Sequence, residues 1–374
     1  KYINVNQRKR AYYNNYNLKM NIEKLTENAI SLLKNLIETQ SFSSEEENTA
    51  KLIEGWFSEH EIPFKRTKNN IWATNKHFDE SKPTLLLNSH HDTVKPNSAY
   101  TNDPLKAIVK DGKLYGLGSN DAGGCLVSLM ATFTHFYAQE NLKYNLVIVA
   151  SAEEENSGPN GLNSMLPIIP HIDVAIVGEP TLMNLAVAEK GLVVLDAVIE
   201  GTPSHAAHPN NNNSIYNTIE VLQWFKDFKF KKTSEALGNV KMTVTQISGG
   251  SQHNVVPAHV DLVVDVRVND AYSNQEIATI LQEQSPCTKI TPRSLRLSSS
   301  CISTDHDLVK AGIAMGRETY GSPTLSDQAV LSCQSLKLGP GDSTRSHSAD
   351  EFIYLTEIEE GIIIYVELLN RVIK

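Results

Sequence analysis

Thr84-Leu-Leu-Leu-Asn-Ser-His90-His-Asp92 is the stretch whose reading decides the fold. Its opening apolar run, Thr84–Leu87, has strand length and leads straight into a histidine–aspartate cluster. Two more runs of the same kind follow, Asn145–Ala150 and Val174–Val177, with a helical pattern over Cys125–Gln139 between the first run and the second. Apolar runs this short, separated by helices, read as buried parallel strands of an α/β sheet. Each ends in chemistry. Glu153-Glu154-Glu155 comes after Val147–Ala150, Glu179 after Ala175–Val177, and His347 follows a fourth run, Leu336–Leu338, through a Gly339-Pro340-Gly341 turn. Asp121 lies in the loop Gly116-Leu-Gly-Ser-Asn-Asp-Ala-Gly-Gly124, just ahead of the first helix. Open α/β sheets bind ligands at the carboxyl ends of their strands, so these clusters are expected to converge in one crevice.

Upstream, Leu25, Ala29, Leu32, Leu33 and Leu36 recur at helical spacing from Met20 onward. Ser44-x-x-Glu47 reads as a capping box opening a second helix with Ala50, Ile53, Trp56 and Phe57 on its apolar face. Downstream, the pattern changes near Lys190-Gly191. Strand patterns at Leu192–Ile199, Val240–Ile247 and Val260–Val268 then share the chain with one helix pattern, Ser214–Lys226. Helix and strand patterns return at Asp307–Arg317, Leu336–Leu338 and Leu355–Ile373. The expected organisation is a catalytic domain in two parts, residues 20–190 and 298–374, interrupted by a smaller α+β domain at 191–297. Residues 1–19 read as a peripheral extension, with Met20 as the natural start.

At 374 residues, two domains are the default. The net charge is −9, yet the first 19 residues hold five bases and no acids, so the remainder carries −14. So acidic a body argues against a nucleic-acid partner, which needs a basic stripe. No apolar run is long enough to span a membrane and no signal-peptide core is present. Cys125, Cys287, Cys301 and Cys333 form no CxxC pair and read as reduced thiols of a cytoplasmic protein.

Several carboxylates and two imidazoles in one crevice repel one another strongly unless cations hold them together. Mixed histidine–carboxylate donors suit zinc, or cobalt and manganese by the same argument of ligand softness. Glycines 116, 118, 123 and 124 let the backbone approach such a site. Each motif taken singly has an ordinary explanation: a hydrogen-bonded His/Asp pair, or a solvated run of glutamates. Their joint order does not. The glycine loop has neither the Gly-Lys-Ser ending of a phosphate loop nor a full GxGxxG, and no Gly-x-Ser-x-Gly elbow exists for acyl-enzyme chemistry.

Five strings in order, Leu-Leu-Asn-Ser-His90-His-Asp92-Thr-Val94, Gly116-x-Gly-x-x-Asp121-x-x-Gly124, Ala-Glu-Glu-Glu155, Val-Gly-Glu179-Pro180 and Ser346-His347-Ser, resemble a co-catalytic zinc family. It includes acetylornithine deacetylase, succinyl-diaminopimelate desuccinylase, aminoacylases and carboxypeptidase G-type exopeptidases, with acetylornithine deacetylase the nearest guess. The resemblance implies a zinc-exopeptidase-like catalytic domain with a mostly parallel sheet, interrupted by a lid and dimerisation domain. It also implies two divalent metals, zinc or else cobalt, with His90 and Glu179 on one, Glu155 and His347 on the other and Asp121 bridging. Asp92 would orient His90, Glu154 would act as general base, and the Asp121-Ala122 peptide would be cis. The glutamate triplet leaves a second register open, with Glu153 as base and Glu154 as ligand. Leu117 and Gly123 stand where the family commonly has Arg and Lys.

In the inserted domain, Gly201-Thr-Pro-Ser-His205-Ala-Ala-His208 resembles the segment whose first histidine stabilises the oxyanion, in dimers from the partner subunit. The alternative is that His205 caps the following helix. Asn254 and Arg267 resemble substrate contacts, although Arg267 reads almost as well as an ion pair with Asp265. The implied function is hydrolysis of an N-acyl amino acid, such as N-acetyl- or N-succinyl-ornithine, by a metal-activated water in amino-acid (arginine) biosynthesis. The implied assembly is a cytoplasmic homodimer without nucleic-acid or membrane partners. A di- or tripeptide metallo-exopeptidase and a non-catalytic metal-binding scaffold are the alternatives.

Overall fold

The computed structural model describes residues 5–374, with side chains from Asn21 onward. The expected extension at residues 1–19 lies outside the residues described to side-chain level. Two compact units result. The first comprises Lys1–Val187, Ile302–Thr319 and Leu331–Lys374, and the second Ala188–Cys301 and Tyr320–Val330. The second unit therefore differs from the expected 191–297 in taking a later segment, Tyr320–Val330, that the sequence reading left with the catalytic part.

In the first unit, helices α1 (Val5–Ile37), α2 (Glu47–Glu59), α3 (Gly124–Phe136) and α4 (Leu355–Val372) accompany a central sheet. Its strands are β1 (Lys65–Thr67), β2 (Asn70–Thr74), β3 (Thr84–His90), β4 (Asn145–Ser151), β5 (Val174–Val177), β6 (Leu185–Glu189) and β7 (Gln334–Lys337). They lie in the order β1-β2-β4-β3-β5-β7-β6. Pairs β4–β3, β3–β5 and β5–β7 are parallel, and the pairs outside them antiparallel. All seven residues of β3 and of β4 are buried, as two-faced coverage of a parallel sheet requires.

Helix α3 packs against α1, α4 and β3 and is buried almost all round, which explains why its sequence lacks a polar face. The expected apolar faces of the first two helices are all buried: Leu25, Ala29, Leu32, Leu33 and Leu36 on α1, and Ala50, Ile53, Trp56 and Phe57 on α2. The expected capping box is not formed. Helix α2 is preceded by Glu46 rather than Ser44, with no side-chain cap. Ser44 adopts a positive φ of 74° and turns its hydroxyl to Glu153 Oε1, 3.3 Å away. A tertiary partner has displaced the local one.

The second unit holds a four-stranded antiparallel sheet ordered Lys241–Ser248, His259–Val268, Gly191–Glu200, Lys289–Pro292. One face carries Val193, Leu195, Ala197, Ile199, Val260, Leu262, Val264, Val266 and Val268 into a separate core with Val221, Phe225, Ile277 and Leu281. These last four come from helices Ser214–Asp227 and Asn274–Gln284. The second helix and the fourth strand were not read from sequence. The signal for that helix was present, because Ser273 and Glu276 form a reciprocal capping box. Among the described residues no helix is long and apolar enough to cross a membrane, and all four cysteines are free.

Candidate active site and metal centre

The parallel strands deliver their carboxyl ends to one edge of the first unit, and the loops that follow carry the clustered side chains. His90 closes β3 and is 1% exposed. Its Nδ1 faces two oxygens of Asp92, the backbone carbonyl at 3.0 Å and Oδ1 at 3.3 Å. That pairing places the ring proton on Nδ1 and leaves Nε2 pointing into the cluster. There Nε2 meets Asp121 Oδ1 at 3.4 Å, Glu179 Oε1 at 3.8 Å and Glu154 Oε2 at 3.9 Å. None of these is a hydrogen bond, so a buried ring nitrogen lacks a hydrogen-bond partner. An orphaned imidazole lone pair ringed by carboxylates fits a cation.

On the other side, His347 Nε2 lies 2.9 Å from Glu155 Oε2 and 3.8 Å from Asp121 Oδ2. Asp121 thus turns one carboxylate oxygen to each histidine. Two donor sets overlap around these residues: His90 with Asp121 and Glu155, and His90 with Glu154 and Glu179. Within each, the donor atoms lie within 4.8 Å of one another. The Asp121-Ala122 peptide is cis, as the resemblance led us to expect.

Electrostatics match this crowding. Burial would depress the His90 pKa, but the nearby carboxylates of Asp121, Asp92 and Glu154 hold it well above the ordinary value. The His347 ring is pushed up to about 9, first by its hydrogen bond with Glu155. For Asp121, burial acts upward, but His90, Ser346 and His347 together hold the carboxyl below its usual range.

Asp92 does more than orient a ring. It is 1% exposed. Its Oδ1 accepts the Glu154 N–H at 3.0 Å, and its Oδ2 accepts the Glu155 N–H at 3.1 Å and the Ser43 hydroxyl at 2.7 Å. The loop after β4 is thereby tied to the end of β3. The first glutamate of the triplet faces elsewhere: Glu153 takes the Asn160 amide on Oε1 at 2.8 Å and the Asn160 N–H on Oε2 at 3.0 Å. Glu154 and Glu155 face the cluster, each in one of the two donor sets, and Glu153 is in neither. His91 is structural. Thr49 Oγ1 and the Asn69 carbonyl hold its two nitrogens at 2.9 Å each, and burial depresses its pKa to about 4.

In the second unit, His205 and Asn254 are neighbours on a two-stranded ribbon, Ser204–His205 paired with Val255–Val256. Both are exposed. His205 does not cap the next helix. Asn213 does, accepting the Ile215 N–H at 2.9 Å, while His205 Nδ1 accepts the Ala207 N–H at 3.2 Å. Arg267 is bidentate on Asp265 at 2.9 and 3.1 Å, so the ion-pair alternative describes it and its fork is already engaged.

Sequence reasoning missed Glu351. Its buried carboxylate accepts backbone N–H groups from the Asp121 loop, and burial followed by the Asp121 charge raises its pKa to about 8.

Strand order and site together define a metal-dependent hydrolase. The profile of peptidase family M20/M25/M40 matches residues 86–371, and the chain belongs to that family. Among curated relatives, the succinyl-diaminopimelate desuccinylase of Rickettsia felis is 27% identical over 275 residues, covering 68% of this chain and 72% of the relative. The acetylornithine deacetylase of Photorhabdus laumondii is 27% identical over 379 residues, covering 91% and 96%. Among solved structures, a tripeptidase from Staphylococcus aureus superposes with a TM-score of 0.72 at 19% identity, covering 92% of this chain and 97% of that one.

Proposed function

We propose that this protein hydrolyses the amide of an N-acyl amino acid of the N-acetyl- or N-succinyl-ornithine kind, using two divalent cations, zinc or else cobalt. One observation carries the reading: Asp121 presents a separate carboxylate oxygen to each of two histidines. His90 and Glu179 would complete one metal position, and Glu155 and His347 the other. The names of the curated relatives support an acyl-amino-acid substrate, and the cytoplasmic, arginine-biosynthetic setting belongs to the same reading. Cations held by these residues would supply Lewis acidity toward an amide carbonyl and a bound water.

The side chains divide the remaining work. Asp92 fixes the His90 tautomer and the backbone of Glu154 and Glu155. Glu154 takes the proton of the attacking water and returns it to the departing amine. His205 is assigned to the oxyanion, acting in a homodimer from the partner's copy, with Asn254 on the substrate. Arg267, expected on the substrate, is engaged by Asp265 and would have to leave that pair to reach one.

The test is a substrate panel on metal-loaded protein, N-acetyl- and N-succinyl-ornithine against small di- and tripeptides, beside metal analysis of wild type and Asp121→Ala. The expected result is two metals, turnover of an acylated amino acid, and loss of both in the variant. Preferential cleavage of peptides would replace the substrate class. Full activity in Asp121→Ala would end the dinuclear reading.

A further inference from the structure

We infer that Glu351 is a positioning residue of the metal centre, aiming the Asp121 carboxylate through the backbone of its loop. This rests on the reading of Asp121 as the shared ligand. Glu351 is 2% exposed. Its Oε2 accepts the Gly118 N–H at 3.1 Å, and its Oε1 accepts the N–H groups of Asn120 at 2.8 Å and Asp121 at 2.9 Å. The Glu351 carbonyl accepts a fourth, from Gly116, at 3.0 Å. One residue therefore holds most of the backbone donors between Gly116 and Asp121.

Those bonds matter because the short helical turn at Ser119–Gly123 is broken at Asp121 and Ala122, whose backbone is not helical. Gly118 sits at φ +74° and Asp121 at φ −117°, ψ 98°, so the direction of the Asp121 side chain follows from how its flanking peptides are oriented. Glu351 orients the peptides on the amino side of Asn120 and of Asp121. A second tie runs through the Asn120 side chain, which donates to the Asp342 carbonyl and accepts the Asp342 N–H, both at 3.0 Å. Asp342 and Glu351 flank His347 in sequence. The loop bearing Asp121 is thus fastened on both sides of the segment bearing His347, which keeps the bridging carboxylate and that imidazole in mutual register. A polar carboxyl group buried beside another is costly as mere filling, whereas one that collects several N–H groups is well suited to hold a loop.

The experiment titrates chelator-stripped full-length protein with zinc chloride, records the visible spectrum after cobalt loading, and follows thermal unfolding. Glu351→Ala is expected to weaken metal binding roughly 10–100-fold and alter the cobalt spectrum while the chain stays folded. Glu351→Gln keeps an oxygen for Asn120 and Asp121 but turns an amide toward Gly118. It should fall between Ala and wild type. A purely structural role would lower the melting temperature alone, so a folded Ala variant with wild-type affinity and spectrum overturns the inference. If Ala does not fold, Gln decides, and wild-type affinity with an unchanged spectrum there overturns it equally. Wild-type protein that takes up no zinc or cobalt would instead overturn the metal reading together with this one, and the control titration separates the two failures.

Discussion

Glu153, Glu154 and Glu155 are the same side chain in three different surroundings. Glu153 is held by Asn160 and Ser44, Glu155 faces His347, and Glu154 faces His90. Glu154→Gln is expected to keep its metal and lose turnover by roughly 10²–10⁴-fold, the usual worth of a general base. Glu153→Gln should lower stability through its loop and spare turnover. Steady-state kinetics with metal analysis checks both, and the reverse pattern would restore the other register. His347 supplies a pH dependence. The hydrogen bond with Glu155 pushes its pKa up to about 9, against about 6.5 for a free histidine. Across that window the ring stays protonated in the folded chain, and a cation must expel the proton to bind. Metal affinity should therefore rise with pH, by up to about tenfold per unit for each proton released, and level off above the folded pKa. Calorimetry in buffers of different ionisation enthalpy counts those protons, and a pH-independent affinity would contradict the account.

At the scale of elements, strand ends and the loops after them carry the design. The turn at Gly118 has a positive φ, and a Cβ there would lie 2.6 Å from Thr93 Cγ2. Gly118→Ala is expected to cost about 1–3 kcal/mol of stability, measured by denaturant unfolding, and to weaken metal binding with it. The second unit is held by its own core. Leu195 lies fully buried opposite Val264 in the middle of that sheet. Leu195→Ala should destabilise that unit by about 2–5 kcal/mol without changing metal content per folded chain. Loss of metal in parallel with that destabilisation would show that the units do not fold as separate cores. The helices read from periodicity came out with their expected buried faces. The Ser44 cap did not, because hydrogen-bonding residues near a helix start take whatever partner tertiary structure supplies.

For the whole molecule, metal bound only by the folded chain must stabilise it by mass action. Chelator is expected to lower the melting temperature and abolish hydrolysis, with zinc restoring both. The homodimer proposal has its own check. Mixing Glu154→Gln with His205→Ala subunits should restore activity to one site per heterodimer, and proven subunit exchange without recovery would remove the in-trans role.

The sequence by itself determined the class of sheet, and the types and order of the candidate ligands along the chain. Buried parallel strands are short apolar runs, and donors for a zinc-type cation come from a few residue types such as histidine and carboxylate, so both are written in residue type and local spacing. Only the tertiary structure decided which glutamate of the triplet faces the cluster, that Arg267 is engaged by Asp265, that Tyr320–Val330 joins the second unit, and that Glu351 holds the Asp121 loop. Those facts depend on side-chain direction and on partners as far as 233 positions apart, as Gly118 and Glu351 are. Distance in space between such residues is set by packing, and no local pattern records it.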